Sequence, residues 1–177
     1  MAKLFITIIP YLVVFSHALL LLVFVAVLTR KFWGKGIYIF IGKNVLLLGF
    51  LITLGAMVGS LFYSEIIGYE ACVLCWWQRI FLYPQMFIFA LALYRKDRSI
   101  FPYITSLTLL ALLVALYQTY YDFGGKSLLT CTSEGGSCSK IYVKEFGYIT
   151  IPIMSLTVSL YILLLAWVHK LFQTSND

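Results

Sequence analysis

The sequence predicts an all-helical integral membrane protein whose chain crosses the bilayer five times. Of its 177 residues, 62% are hydrophobic and 11% are charged, whereas a soluble domain has about 25% charged residues. A helix needs about 20 apolar residues to cross a bilayer core about 30 Å thick. Apolar stretches of about this length lie at residues 4–28, 44–66, 76–94, 100–121 and 147–168. Little of the chain is left for a soluble domain.

The first stretch is expected to be a retained helix and not a cleaved secretory signal. Its apolar run is long, and only Lys3 stands in front of it. The basic pair Arg30 and Lys31 follows it, where a signal peptide would carry a cleavage site made of small residues. We therefore count it as the first membrane span.

The other four stretches carry the glycines and prolines that membrane helices tolerate. In the second stretch, the sequence GAMVG places Gly55 and Gly59 at a spacing that lets helix backbones approach closely, so we expect it to serve helix packing. Pro84 lies inside the third stretch, where it should bend the helix. Pro102 and Pro152 fall in the first turns of the fourth and fifth stretches, where proline is accommodated.

The basic residues are concentrated in three connections that we place on the cytoplasmic side. These residues are Arg30, Lys31, Lys35 and Lys43 after the first span, Arg95, Lys96 and Arg98 after the third, and Lys170 after the fifth. The positive-inside rule then puts the N-terminus outside and the C-terminus in the cytoplasm. It also accounts for the net charge of +6 without nucleic acid as a partner.

The four cysteines fall in the two outer connections, two in each. Cys72 and Cys75 lie in YEACVLCWWQR, and Cys131 and Cys138 lie in a loop with six residues between them, two of which are glycines. Disulfides persist outside the cytoplasm, and four cysteines allow three pairings. The glycines let the loop turn back, so a disulfide between Cys131 and Cys138 is easy to close.

The first cysteine pair stands where the third helix begins. If that helix starts near Cys72, then Cys75 and Arg79 follow at spacings of three and four and share one helix face. The free N–H groups and the dipole at a helix N-terminus favour a thiolate, and a nearby arginine adds to this effect. A thiolate is the form that attacks disulfides. An arginine just inside the hydrocarbon must either extend to the headgroups or bind something.

Three kinds of protein remain compatible with these residues. Four cysteines on one face can hold zinc, although the six-residue spacing of the second pair is wide for it. Two inert disulfides in a structural membrane protein are a second possibility. We favour a third, a membrane oxidoreductase that exchanges disulfides. Since little sequence lies outside the spans to bind a nucleotide, haem or flavin, its acceptor is expected to be lipid-soluble and to meet Cys75 and Arg79.

Three segments resemble the disulfide bond formation protein B (DsbB) family, especially its short Gram-positive, BdbC-like form. They read GSLFYSEIIGYEACVLCWWQRIFLYPQ, CTSEGGSC and FGYITIPI, and the resemblance covers about residues 44–168. It implies a four-helix transmembrane bundle over residues 44–177, with outer loops at 67–75 and 122–146. Residues 1–43 would then add an extra N-terminal transmembrane helix and a basic cytoplasmic loop.

The resemblance also implies a function in the bacterial cytoplasmic membrane. Members reoxidise a thioredoxin-fold thiol oxidase of the DsbA or BdbD type outside the membrane and pass the electrons to the respiratory quinone pool, as ubiquinone or menaquinone. Carried over to this sequence, Cys72 and Cys75 form the pair linked to quinone, with Cys75 nearest the ring. Arg79 matches the quinone-site arginine, and Cys131 and Cys138 meet the partner.

Two positions depart from the family pattern. Gln78 stands where some members carry glutamate, and Gln118 stands near where some carry histidine. Whether either residue takes part in proton transfer stays open at this point.

The same four cysteines would also serve electron flow in the reverse direction, as in a disulfide reductase.

Overall fold

The protein was analysed as a computed structural model, which describes residues 2–30, 33–125 and 142–174, with side chains from residue 8 onward in the first helix. Within these ranges five α-helices follow one another: α1 (Ala2–Leu28), α2 (Lys35–Leu61), α3 (Val73–Arg95), α4 (Phe101–Asp122) and α5 (Ile151–Thr174). A short π-helix, Phe62–Ile66, extends α2. The described residues contain no β-strand, only one isolated bridge between Glu145 and Ile149. The predicted all-helical class is confirmed.

Helices α2 to α5 form a four-helix bundle, and α1 lies outside it. Each bundle helix packs against two neighbours in the cyclic order α2, α3, α4, α5, while α1 makes smaller contacts with α2 and α5. Phe89, Ile104 and Ile162 are completely buried at the centre of the bundle. Gly49 of α2 lies directly against the ring of Phe89, with no room for a Cβ atom. The predicted arrangement of a four-helix bundle with one additional helix is therefore observed.

Among the described residues, four helical segments are long and apolar enough to cross a membrane. They are Ile8–Leu28, Lys35–Ile66, Phe101–Asp122 and Ile151–Thr174. Helix α3 has 23 residues, or about 35 Å at 1.5 Å per residue, but it is less apolar because it carries Gln78, Arg79 and Gln85. The two glutamines are buried within the bundle. The third predicted span is thus a full-length bundle helix whose two glutamines face protein.

Helix α2 begins earlier than the second stretch that the sequence predicts. It starts at Lys35, whereas the apolar stretch was expected to start at residue 44. Residues 36–42, about two helical turns, are mostly apolar. The basic Lys43 separates them from the second apolar stretch in the sequence, so the helix was expected to begin after it. At Asn44 the backbone leaves helical geometry, with φ −105° and ψ 17°, and the Asn44 side chain donates a hydrogen bond to the Phe40 carbonyl at 2.9 Å.

Polar contacts near the middle of α1 fix it to α5. His17 Nε2 and Thr157 Oγ1 are 2.8 Å apart, and the Tyr161 hydroxyl donates to the Ser16 carbonyl. His17 also approaches the Tyr148 hydroxyl at 3.3 Å. This histidine therefore joins α1 to α5 and to the segment before it.

Candidate functional site

Cys72 and Cys75 meet at the N-terminus of α3. Cys72 is the residue that caps the helix, with an extended backbone (φ −69°, ψ 167°), and its sulfur accepts a hydrogen bond from the Cys75 N–H at 3.2 Å. The sequence predicts that α3 starts near Cys72. In the structure Cys72 lies just before the first turn, since the residue that caps a helix has a non-helical backbone. The two Sγ atoms are 2.6 Å apart. The pair is therefore positioned to share a proton or to close a disulfide.

The two sulfurs differ in their surroundings. Its hydrogen bond with Cys75, together with burial, raises the pKa of the Cys72 thiol. Only 8% of Cys72 is exposed, whereas Cys75 is less deeply buried. The charge of Arg79 and the N-terminus of α3 both favour a negative charge on the Cys75 sulfur. Cys75 is thus the sulfur on which a thiolate forms first.

A pair of buried glutamines directs an amide group at both sulfurs. Gln78 Nε2 donates to Gln118 Oε1 at 2.9 Å. With its oxygen occupied in this way, Gln118 points its Nε2 towards Cys72 Sγ at 3.4 Å and Cys75 Sγ at 3.6 Å. An N–H donor favours the charged form of a sulfur that accepts from it. Both glutamines are at most 6% exposed.

The sequence contained part of this arrangement. Gln78 follows Cys75 by three residues and shares its helix face, and Gln118 is a polar residue in an apolar span. Their pairing across α3 and α4 was missed, because nothing in the sequence fixes which faces of two helices meet.

Arg79 is bound to the end of α2. Its Nε donates to Ser60 Oγ at 3.2 Å, and its Nη2 lies 3.4 Å from the Ser60 carbonyl oxygen. The guanidinium also lies over the Trp76 ring at 5.2 Å from its centroid. The part of the chain that the structure describes offers Arg79 no carboxylate partner. Among the described residues, no ion pair with a carboxylate therefore engages the positive charge that Arg79 places next to the sulfur pair.

A large cavity of about 920 Å³ opens beside this group. Cys72, Cys75, Gln78, Arg79 and Gln118 all line it at one end. Most of its remaining lining is apolar and comes from α1, α2 and α5. An apolar cavity with a few convergent polar groups is the usual form of a small-molecule site.

The second cysteine pair is outside the described residues. Cys131 and Cys138 lie between residues 125 and 142, so their pairing and their distance to Cys72 stay predictions. Within the described ranges, no three His, Cys, Asp or Glu side chains gather as metal ligands. A zinc site would need both cysteine pairs, and that alternative is left to experiment.

Comparison with known proteins points to one family. The model of the disulfide bond formation protein DsbB family matches residues 42–169. The SPbeta prophage-derived disulfide bond formation protein B of Bacillus subtilis (strain 168) is 39% identical over 113 residues, which cover 64% of this chain and 76% of that protein. No solved structure matches. Helix α1 lies outside the family match.

Two further relatives are matched over nearly their whole length. The probable disulfide formation protein C 2 of Bacillus cereus (strain ATCC 10987 / NRS 248) is 35% identical over 137 residues, or 77% of this chain and 98% of that protein. The probable disulfide formation protein C 2 of Bacillus anthracis is 31% identical over 136 residues, or 77% of this chain and 97% of that protein.

Proposed function

Because this chain belongs to the disulfide bond formation protein B family, we propose that it is a quinone-dependent membrane oxidoreductase that reoxidises an extracytoplasmic thiol oxidase. The partner would be a thioredoxin-fold protein of the DsbA or BdbD type. Membership of this family implies that the chain is a membrane thiol-disulfide oxidoreductase that acts in disulfide-bond formation. The observation that supports the finer proposal is the sulfur pair of Cys72 and Cys75, next to Arg79, at the end of an apolar cavity.

The first exchange takes place on the loop pair. A partner thiolate attacks Cys131 of the Cys131–Cys138 disulfide, which forms a mixed disulfide and releases Cys138 as a thiolate. The second partner thiol then attacks the partner's own sulfur in that mixed disulfide and releases Cys131. The partner leaves oxidised, and the loop pair now holds its two electrons as two thiols. Both steps are the usual thiol–disulfide exchange, in which a thiolate attacks one sulfur of a disulfide and the other sulfur leaves.

The second exchange moves the electrons to the helix. Cys138 attacks Cys72 of the Cys72–Cys75 disulfide and releases Cys75 as a thiolate. Cys131 then attacks Cys138, which restores the loop disulfide and releases Cys72 as a thiol. Cys75 suits the leaving role because Arg79, the helix N-terminus and the Gln118 amide all favour negative charge there.

The residues near the sulfur pair fit a quinone. Arg79 offers a cation and N–H donors for a quinone oxygen, and the apolar lining suits a lipid-soluble molecule. Cys75 and Arg79 are the residues that would hold the quinone ring. When bound, a quinone accepts two electrons and two protons and is released as quinol to the respiratory pool. Cys72 keeps its proton close to Cys75 by their shared hydrogen bond, and that proton is available when the pair is oxidised.

Stoichiometric quinol formation tests this function. Purified protein is given a reduced thioredoxin-fold partner and quinone, and ultraviolet absorbance follows the quinone. We expect one quinol per partner disulfide formed. Cys75→Ser should abolish quinone reduction while its loop pair still traps the partner as a mixed disulfide. Normal quinone reduction by that variant would contradict the scheme, and bound zinc in the same preparation would favour the metal alternative.

A further inference from the structure

Three tyrosines from separate parts of the chain form a continuous stack near Cys72. The ring centroids of Tyr63 and Tyr69 are 5.9 Å apart and their planes differ by 9°, and the rings of Tyr69 and Tyr142 are 4.6 Å apart with planes that differ by 21°. Both separations lie in the range in which aromatic rings attract each other. The stack therefore joins the end of α2, the connection into α3 and the segment that leads to α5.

The backbone after α2 fixes the central ring of this stack. The chain turns at Gly68, whose φ of +82° is a conformation that glycine adopts readily. The turn lets the Tyr69 N–H donate a hydrogen bond to the Tyr63 carbonyl at 3.0 Å, and the two rings lie face to face. Tyr69 is thus held in place three residues before Cys72.

The segment that follows Tyr142 is also fixed to the bundle. Val143 is only 5% exposed. Glu145 and Ile149 exchange two backbone hydrogen bonds, at 3.1 Å and 2.9 Å, and Ile149 is completely buried. Tyr142 therefore marks the point at which the loop that carries the second cysteine pair returns to the bundle, and its ring lies on Tyr69 at that point.

Chain length limits how far Cys138 can lie from this stack. Tyr142 follows Cys138 by four residues. An extended chain spans at most about 3.6 Å per residue, so the two Cα atoms are at most about 14 Å apart. A disulfide needs Cα atoms about 4.4–6.8 Å apart. Covalent geometry alone thus keeps Cys138 on a short tether whose fixed end lies against the connection that leads to Cys72.

We propose that Tyr69 and Tyr142 are positioning residues for the exchange between the two cysteine pairs. This inference rests on the proposed function, in which Cys138 attacks Cys72 and Cys75 leaves as a thiolate. A group on a tether that is fixed near its target has a high effective concentration there. The stack raises the effective concentration of Cys138 at the Cys72 sulfur, and neither tyrosine exchanges electrons or protons in the reaction.

A chain that keeps only Cys72 and Cys138 measures this effective concentration. With Cys75 and Cys131 replaced by serine, the purified protein is equilibrated with mixtures of reduced and oxidised glutathione. Alkylation of the remaining thiols then gives the fraction that holds the Cys72–Cys138 disulfide. Each disulfide formed converts one oxidised glutathione into two reduced ones, so the mixture at half oxidation reports how strongly the two cysteines pair. The measurement needs neither quinone nor partner.

Tyr69→Leu and Tyr142→Leu, each made in the two-cysteine chain, break the stack from different sides. Half oxidation should then need about three- to tenfold more oxidised glutathione at the same concentration of reduced glutathione, which matches the contribution of one aromatic pair. Tyr69→Phe keeps the ring and should leave the midpoint in place. Tyr38→Leu is the matched control, because it removes a ring contact with Phe172 at the opposite end of α2. It should lower Tm without moving the midpoint.

Each result supports or overturns the inference. An unchanged midpoint in both Tyr69→Leu and Tyr142→Leu overturns it, and Tyr142→Leu keeps the test valid where Tyr69→Leu disturbs the start of α3. An equal shift in Tyr38→Leu also overturns it, because a general loosening of the bundle then explains the effect. A shift in Tyr69→Phe as large as in Tyr69→Leu would show that the ring is not responsible. If the midpoints move as expected but the wild type reduces no quinone, the proposed function alone is contradicted.

Discussion

At the scale of single residues, the candidate site brings donor groups close to both sulfurs. The Gln118 amide lies within 3.6 Å of both sulfurs, and Gln78 fixes its orientation through a 2.9 Å hydrogen bond. An amide cannot act as a general acid or base near neutral pH. These two residues therefore position a donor and do not carry a proton, which answers the question that the glutamines raise in the sequence.

Replacing Gln118 by leucine should make the reduced cysteine pair less reactive. Removing the N–H donor disfavours the thiolate, so the pH at which iodoacetamide alkylates the pair at half its maximal rate should move upward. Gln85→Leu is the control, because Gln85 is a buried glutamine of α3 that bonds to Thr108 of α4, away from the sulfurs. That control should lower Tm and leave the alkylation profile in place. Identical profiles for both variants would show that Gln118 only fills space.

Arg79→Ala should raise the KM for quinone, by roughly tenfold if about 1.4 kcal/mol of binding is lost. The KM of Arg79→Lys should lie between those of the wild type and Arg79→Ala. Lysine keeps the charge but cannot reproduce both hydrogen bonds to Ser60. Steady-state kinetics with purified partner measures both variants. If KM stays unchanged while Tm drops, Arg79 serves only to attach α3 to α2.

At the scale of elements, the glycines of α2 have opposite roles at different heights. Gly49 permits contact between α2 and α3, since the Phe89 ring occupies the space where a Cβ would stand. Gly55 faces open space. The sequence alone cannot distinguish the roles of the two glycines. Spacing indicates which residues share a helix face, but it does not indicate what that face contacts.

Alanine substitutions should separate these two glycines by stability. Gly49→Ala should lower Tm, since a Cβ in contact with the Phe89 ring forces the helices apart, with a typical cost of about 1–3 kcal/mol. Gly55→Ala should raise Tm slightly, because alanine is favoured over glycine in a helix by about 0.5–1 kcal/mol. Thermal melting of the purified protein in detergent compares them. Equal effects would contradict the packing of α2 on α3.

The sequence predicts the helices better than their arrangement. Long apolar runs identify membrane helices because the bilayer sets their length, and the cysteine motif predicts the start of α3 to within one residue. The start of α2 was misplaced because a single charged residue, Lys43, interrupts a helix that continues through it. The pairing of Gln78 with Gln118 and the cavity next to α1 depend on how helices rotate against one another, which periodicity does not specify.

At the scale of the whole molecule, the two ends of the bundle differ in chemistry. Helix α3 carries the sulfur pair at its first residues and Arg95 at its last. Beyond that end, Arg98 donates to the carbonyl oxygens of Gly42 and Lys43, so basic residues from two connections gather there. The positive-inside rule assigns this end to the cytoplasm. With this orientation, which stays a prediction, the sulfur pair would face the compartment in which disulfides persist.

Labelling of single cysteines in intact cells should locate the two ends. In a chain whose four cysteines are replaced by serine, Glu70→Cys introduces an exposed thiol near the sulfur pair and Lys96→Cys introduces one at the basic end. A membrane-impermeant maleimide should label Glu70→Cys in intact cells and label Lys96→Cys only after the membrane is opened, because α3 separates them by about 35 Å. The reverse pattern would place the sulfur pair in the reducing cytoplasm, where it could not oxidise an extracytoplasmic partner.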